Sequence, residues 1–186
     1  PTRRSSDLVL LLGRSESALM TARRGREARL FGVSTGLMHF TMVQILIGAL
    51  VAGIDAGRGF TDWPLMAGQV FPSAAFSIEP VWRNFFENPA LVQFIHRTAG
   101  YLLLAFGVVV WLRARRSAHP GTRMAGHWMI GAMGVQVVLG VVTVVNAAAW
   151  QIAIVHQLGA VALWTLVIAL RFRALYPGAS TLKAAA

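Results

Sequence analysis

Asn88-Pro89-Ala90-Leu91-Val92-Gln93-Phe94-Ile95-His96-Arg97-Thr98-Ala99-Gly100-Tyr101 decides how the whole chain is read. The stretch opens a long apolar segment and sets an imidazole and a guanidinium inside it. Ionisable side chains are costly in hydrocarbon, and where they occur within a membrane-spanning segment they mark a functional position. A second histidine, His156, stands at a comparable place in the last apolar segment. The question the chain poses is whether those two rings meet.

The surrounding composition gives the class. Of 186 residues, 56% are hydrophobic and only 13% charged, and the apolar runs reach the roughly 20 residues that a bilayer requires. Four spans are expected, at about 34–54, 91–112, 127–145 and 152–170, which makes an all-α membrane protein built as a four-transmembrane-helix bundle. Four such runs leave too little polar sequence to cover them as buried helices of a soluble domain. The net charge of +10 sits in short segments flanking the runs, where membrane topology puts basic residues, so no nucleic-acid partner is expected. Cysteine is absent, which excludes disulfides, thiolate ligands and iron–sulfur clusters.

Working outward, residues 1–30 mix Arg with Ser and Gly around one short apolar run, Leu8 to Leu12, too short to span. They are expected to be a basic segment that is disordered or foreign to the fold. The membrane domain is expected over 31–175, followed by a cytoplasmic tail, 176–186. Arg23, Arg24, Arg26 and Arg29 precede the first span. Arg113, Arg115, Arg116 and Arg123 join the second to the third, and Arg171, Arg173 and Lys183 follow the fourth. The long loop at 55–90 has only Arg58 and Arg83, offset by four acidic residues, and the turn 146–151 is uncharged. The basic ends therefore point to the cytoplasm. The expected localisation is the bacterial inner membrane, multi-pass in the lipid bilayer, with both termini cytoplasmic.

This topology sorts the histidines by depth. His96 and His156 both lie about 6 to 8 Å inside the outer boundary of their spans, at 1.5 Å per residue. His39 and His127 fall near the inner ends and His119 in a basic loop, as interfacial or solvated residues. For His96 and His156, one reading is a pair of buried rings satisfied by neighbouring carbonyls or amides. The other is axial ligation of a haem iron by two facing neutral imidazoles. No carboxylate or cysteine lies nearby in sequence to complete a zinc site. Gly100 and Gly159, one turn beyond the two histidines, would leave room for a flat macrocycle. Arg97 has two compatible roles, snorkelling to the outer interface and pairing with a haem propionate.

A faint repeat supports a paired site. Gln44 and Gly48 match Gln136 and Gly140, and Phe94-Ile95-His96 matches Ile154-Val155-His156; internal repeats often place the site at their interface. The loop 55–90 is too rich in Pro, Trp and Phe for a flexible linker and is expected to fold over the outer surface as a lid.

Asp55-Ala56-Gly57, Trp63-Pro64-Leu65-Met66, Asn84-Phe85-Phe86-Glu87-Asn88-Pro89, Val92-Gln93-Phe94-Ile95-His96-Arg97 and His156-Gln157 together resemble the C-terminal half of haem A synthase, in its cysteine-free proteobacterial and mitochondrial form, from about Thr35 to Arg171. The resemblance implies one half of an eight-helix pseudo-symmetric oxidoreductase that converts the C8 methyl of haem O to the formyl of haem A for cytochrome oxidase assembly. It implies haem b (iron) held by His96 and His156, with Arg97, Gly100 and Gly159 beside it. The partners it implies are the N-terminal half of the same enzyme, haem O as substrate and haem O synthase. The family's other half carries a glutamate three residues before its first histidine, where this chain has Gln93. An amide cannot serve as a carboxylate acid or base, so no catalytic residue is assigned here and the expected contribution is electron transfer, with Gln93 or Gln157 adjusting the ligands. The alternative is a standalone b-type cytochrome that carries electrons in the membrane.

Overall fold

A computed structural model describes residues 3–177. In order, the helices are α1 (Arg3–Arg24), α2 (Ala28–Gly53), α3 (Asn84–Glu87), α4 (Pro89–Ala114), α5 (Pro120–Val145) and α6 (Trp150–Leu175), with two 3-10 turns, Ser73–Phe76 and Val81–Arg83, in the loop before α3. The described residues contain no strand, and α2, α4, α5 and α6 are each long and apolar enough to cross a membrane. All four spans fall where the sequence puts them, but every helix runs past its apolar stretch at one or both ends. Arg and Ala are strong helix formers, so α4 and α6 continue through Arg113 and Arg173.

One expectation is corrected. Residues 1–30 were expected to be disordered or foreign to the fold, and against the first of these most of them form α1. Leu, Ala, Arg, Met and Glu all favour helix, and beyond Pro1 no proline interrupts them. The expected tail 176–186 lies, from residue 178 on, outside the described residues, Lys183 included.

α2, α4, α5 and α6 pack as a ring in which α2 touches α4, α4 touches α5, α5 touches α6 and α6 returns to α2. The helices that carry His96 and His156 therefore stand on opposite corners. The hydrophobic core is confined to the end away from the long loop. There Leu30 and Leu37 of α2, Leu103 and Val110 of α4, Met129 and Met133 of α5, and Leu163, Val167 and Leu170 of α6 are buried together. Glu27 closes that end, its N–H donating to the Ala174 carbonyl at 2.9 Å while its carboxylate accepts from the Ser117 hydroxyl.

At the other end the long loop makes its own small packed zone on α4. Asn88 caps α4, its side chain accepting from the N–H groups of Ala90 and Leu91, with Pro89 as the first helical residue, where a missing N–H costs nothing. Asn84 and Asn88 are buried and hold the loop by bonds to the carbonyls of Ile78, Val81 and Ala74. Phe71 meets the edge of Phe94 at 4.9 Å, and the indole N–H of Trp63 donates to the Tyr101 hydroxyl at 3.0 Å. The loop is anchored, as its proline and aromatic content suggests.

Between the two packed zones lies a band formed by residues 44–48, 94–100, 136–140 and 153–160. Of these only Gln136 is buried. Both histidines in question are in this band.

Candidate functional site: paired histidines on repeated helix pairs

The faint repeat in the sequence is a structural unit. Gln44 lies nine residues before the end of α2 at Gly53, and Gln136 nine residues before the end of α5 at Val145. Each glutamine faces the histidine of the helix that follows. Nε2 of Gln44 lies 3.1 Å from Nδ1 of His96 and donates to the His96 carbonyl at 2.9 Å. Nε2 of Gln136 donates to the His156 carbonyl at 3.1 Å.

One turn further along, a glycine supports each ring. A Cβ on Gly48 would stand 3.0 Å from Cε1 of His96, and one on Gly140 would stand 3.3 Å from Cε1 of His156. An alanine at either position would make the imidazole give way slightly. The sequence signalled these contacts as a Gln-x-x-x-Gly spacing one helix ahead of each histidine, but it did not say that the repeat touches the rings.

His96 and His156 are both half-buried. His39 and His127 are exposed, His127 accepting from the Trp111 indole at 3.1 Å, and His119 is half-buried just before α5. None of those three belongs to the band.

Arg97 turns into the outer loop, where Nη1 donates to the carbonyls of Asp62 and Leu65, each at 2.9 Å, and Nη2 to that of Phe60 at 2.8 Å. Gln93, one turn earlier, donates to the same Phe60 carbonyl at 3.0 Å. Arg97 thus clamps the loop, leaving a buried Nε with no partner and one Nη2 hydrogen. Gln93 contacts the loop rather than a histidine and Gln157 is exposed, so the amides that bond the two histidines are those of Gln44, at ring and carbonyl, and Gln136, at the carbonyl.

Gly100 and Gly159 each lie against one of these amides. A Cβ on Gly100 would meet Nε2 of Gln44 at 3.4 Å, and one on Gly159 would collide with Nε2 of Gln136. The room these glycines make is taken by the glutamines.

The loop has its own charge pairing. The carboxylate of Asp62 accepts the N–H groups of Gly68 and Ala67 at 3.0 and 2.9 Å. Chiefly for that reason, with the Arg97 guanidinium adding a smaller pull, its carboxyl is held below the usual carboxylate range. Arg83 grips Glu87 one turn later and lowers its carboxyl likewise.

Among the described residues no group of three or more His, Asp or Glu side chains converges as a metal cluster. The donor set in the band is two imidazoles on opposite corners of a four-helix ring, in a layer where only Gln136 is buried. Buried polar atoms with no partner surround it: Nδ1 of His156 and Oε1 of both Gln44 and Gln136. That donor set suits a planar group bound from both faces by neutral nitrogens.

These features define a membrane four-helix bundle with a histidine pair at the interface of a two-fold repeat. The chain belongs to the COX15-CtaA family of cytochrome oxidase assembly proteins, whose model matches residues 7–168. The match takes in α1 from residue 7, ahead of Thr35 where the resemblance was expected to begin. The chain is 61% identical over 175 residues to the heme A synthase of Ruegeria sp. strain TM1040, covering 94% of this chain and 46% of that protein. It is 59% identical over 169 residues to that of Paracoccus denitrificans, covering 91% and 44%. The chain spans just under half the length of the curated relatives it matches. No solved structure matches it.

Proposed function

We propose that this chain is the cofactor-holding, C-terminal half of a haem A synthase, and that His96 and His156 are the axial ligands of one b-type haem. The observation that carries the reading is the repeated Gln–Gly–His unit, with its two histidines on opposite corners of the bundle. A haem held this way has no open position at iron, so it supplies one-electron relay rather than oxygen or substrate binding. The complete enzyme would oxidise the C8 methyl of haem O to the formyl of haem A, with this half carrying away electrons.

The protein's own residues supply orientation and shelter. Gly48 and Gly140 fix where each ring lies, and the diagonal placement of α4 and α6 separates the rings. The remaining Nε and Nη2 hydrogens of Arg97 are available to a propionate at the loop-bearing end. With Gln93 on the Phe60 carbonyl, this half offers no carboxylate at the repeat position, and the acid–base chemistry is assigned to the N-terminal half. The basic residues at the end opposite the loop favour cytoplasmic termini and placement in the inner membrane.

The test is an optical and electron-paramagnetic spectrum of the complete protein. His96→Ala or His156→Ala should abolish the low-spin haem signal, whereas Ala at His39, His119 or His127 should leave it. Retention of the signal in either of the first two variants rejects the assignment. A standalone cytochrome would show the same spectrum without co-purifying with an N-terminal partner half.

A further inference from the structure

The two repeat units, α2 with α4 and α5 with α6, meet along two seams, α4 against α5 and α6 against α2. At the basic end a hydrogen bond crosses each seam, and the two bonds stand at equivalent places in the repeat. The step that carries Gln44 onto Gln136 carries Thr35 onto His127, and the step that carries His96 onto His156 carries Trp111 onto Arg171. The Trp111 indole donates to Nδ1 of His127 at 3.1 Å, and Nε of Arg171 donates to the Thr35 hydroxyl at 2.9 Å. At each seam a guanidinium also lies over an aromatic ring, within the range of a cation–π contact. Arg115, one turn beyond Trp111, holds its Cζ 5.2 Å from that ring, and Arg171 holds its Cζ 4.5 Å from the ring of Phe31.

These two cations differ from those at the loop-bearing end. There Arg58 pairs with Asp55, Arg83 with Glu87, and Arg97 spends its fork on three carbonyls. Among the described residues no carboxylate pairs with Arg115 or Arg171, and the Glu27 carboxylate at their end is taken by the Ser117 hydroxyl. Arg171 bonds through Nε, which leaves both of its Nη groups to an outside acceptor. An indole N–H only donates, so Nδ1 of His127 accepts and the neutral ring carries its proton on Nε2. His127 is exposed, and that N–H is a further donor in the α4–α5 seam. Trp128 and Phe172, next in sequence to His127 and Arg171, are exposed as well and give acyl chains an apolar surface. A guanidinium fork matches a phosphate group, and basic sites between spanning helices on the cytoplasmic side suit anionic head groups.

We propose that each seam holds the phosphate of one anionic phospholipid of the cytoplasmic leaflet, on Arg115 and His127 between α4 and α5 and on Arg171 between α6 and α2. Neither site involves His96 or His156.

The experiment is native mass spectrometry of the complete protein, stripped of lipid in detergent and titrated with phosphatidylglycerol, phosphatidylcholine or inorganic phosphate. Wild type is expected to retain phosphatidylglycerol in preference to phosphatidylcholine. Arg115→Gln and Arg171→Gln should each lose one retained phosphatidylglycerol and the double variant two, whereas Arg58→Gln, in the outer loop, should lose none. Arg→Lys at either position keeps the charge without the planar fork and should hold the lipid more weakly than wild type. Should a Gln variant not fold, the Lys variant at that position decides: weaker retention supports the site, and wild-type retention overturns it. An unchanged lipid count in the double variant overturns the proposal, as does equal retention of the two lipids by wild type. A loss at only one position overturns the pairing of the sites, and retention of inorganic phosphate in place of lipid overturns the lipid as occupant.

Discussion

The ring of His96 lies directly on Gly48, with room for no more than a hydrogen between Cα and Cε1. His156 rests on Gly140 in the same way but with 0.3 Å more clearance, from 3.0 to 3.3 Å. Helix pairs in membranes approach closely through small residues, and here the approach places a side chain rather than a backbone.

Gly48→Ala should displace the His96 ring at a cost of about 1 to 3 kcal/mol, the usual range for overpacking. Gly140→Ala should do less. Haem retained per protein after detergent purification is the measure, with Gly48→Ala expected to fall further below wild type than Gly140→Ala.

Two glycines at the packed end should respond differently to the same change. A Cβ on Gly126 would stand 2.7 Å from the Cβ of Ala114, which cannot turn away, whereas one on Gly107 would meet the Sδ of Met133, the end of a flexible side chain. Gly126→Ala should lower the unfolding temperature markedly and Gly107→Ala only slightly, as read by thermal melts in detergent.

Arg97 bonds three loop carbonyls. Arg97→Ala should loosen residues 60–65, leaving carbonyls without their charged donor at about 1 to 3 kcal/mol for the group. Arg97→Lys should not restore the loop, because one ammonium cannot reproduce the planar fork. Protease cutting within the loop is the readout, with both variants cut faster than wild type.

Asp62 ties the same loop through the N–H groups of Ala67 and Gly68. Its carboxyl is held lower in the folded loop than in the unfolded chain, so its contribution is fully present above the ordinary Asp range. It is lost as pH falls through the lowered folded value. Amide exchange at Ala67 and Gly68, corrected for intrinsic rates, should stay protected at pH 5 and lose protection only at strongly acid pH. Asp62→Asn should abolish that pH dependence.

Gly159→Ala and Gly100→Ala separate the two repeats. A Cβ at Gly159 collides with the Gln136 amide, and one at Gly100 stays in ordinary contact with Gln44 at 3.4 Å. Gly159→Ala should expel the amide and weaken haem retention, and Gly100→Ala should be tolerated.

Much of this was legible in the sequence because hydrophobic length and basic flanks are local signals. The four long apolar helices and the Gln/Gly repeat follow from spacing along the chain. The partners of Arg97 do not, because backbone carbonyls of a folded loop leave no trace in side-chain identity. The glutamines beside Gly100 and Gly159 were not legible for a related reason: a glycine announces a close approach without naming what approaches. α1 was missed because its Ser and Arg content resembles a disordered tail, although its helix propensity is good.

The apolar core fills one end of the ring and the loop forms a separate small zone at the other. Cohesion is thus concentrated away from the histidines, as in a bundle of rods bound tightly near one tip. On the haem reading proposed above, the helices can assemble through that tip before the space around the histidines is filled.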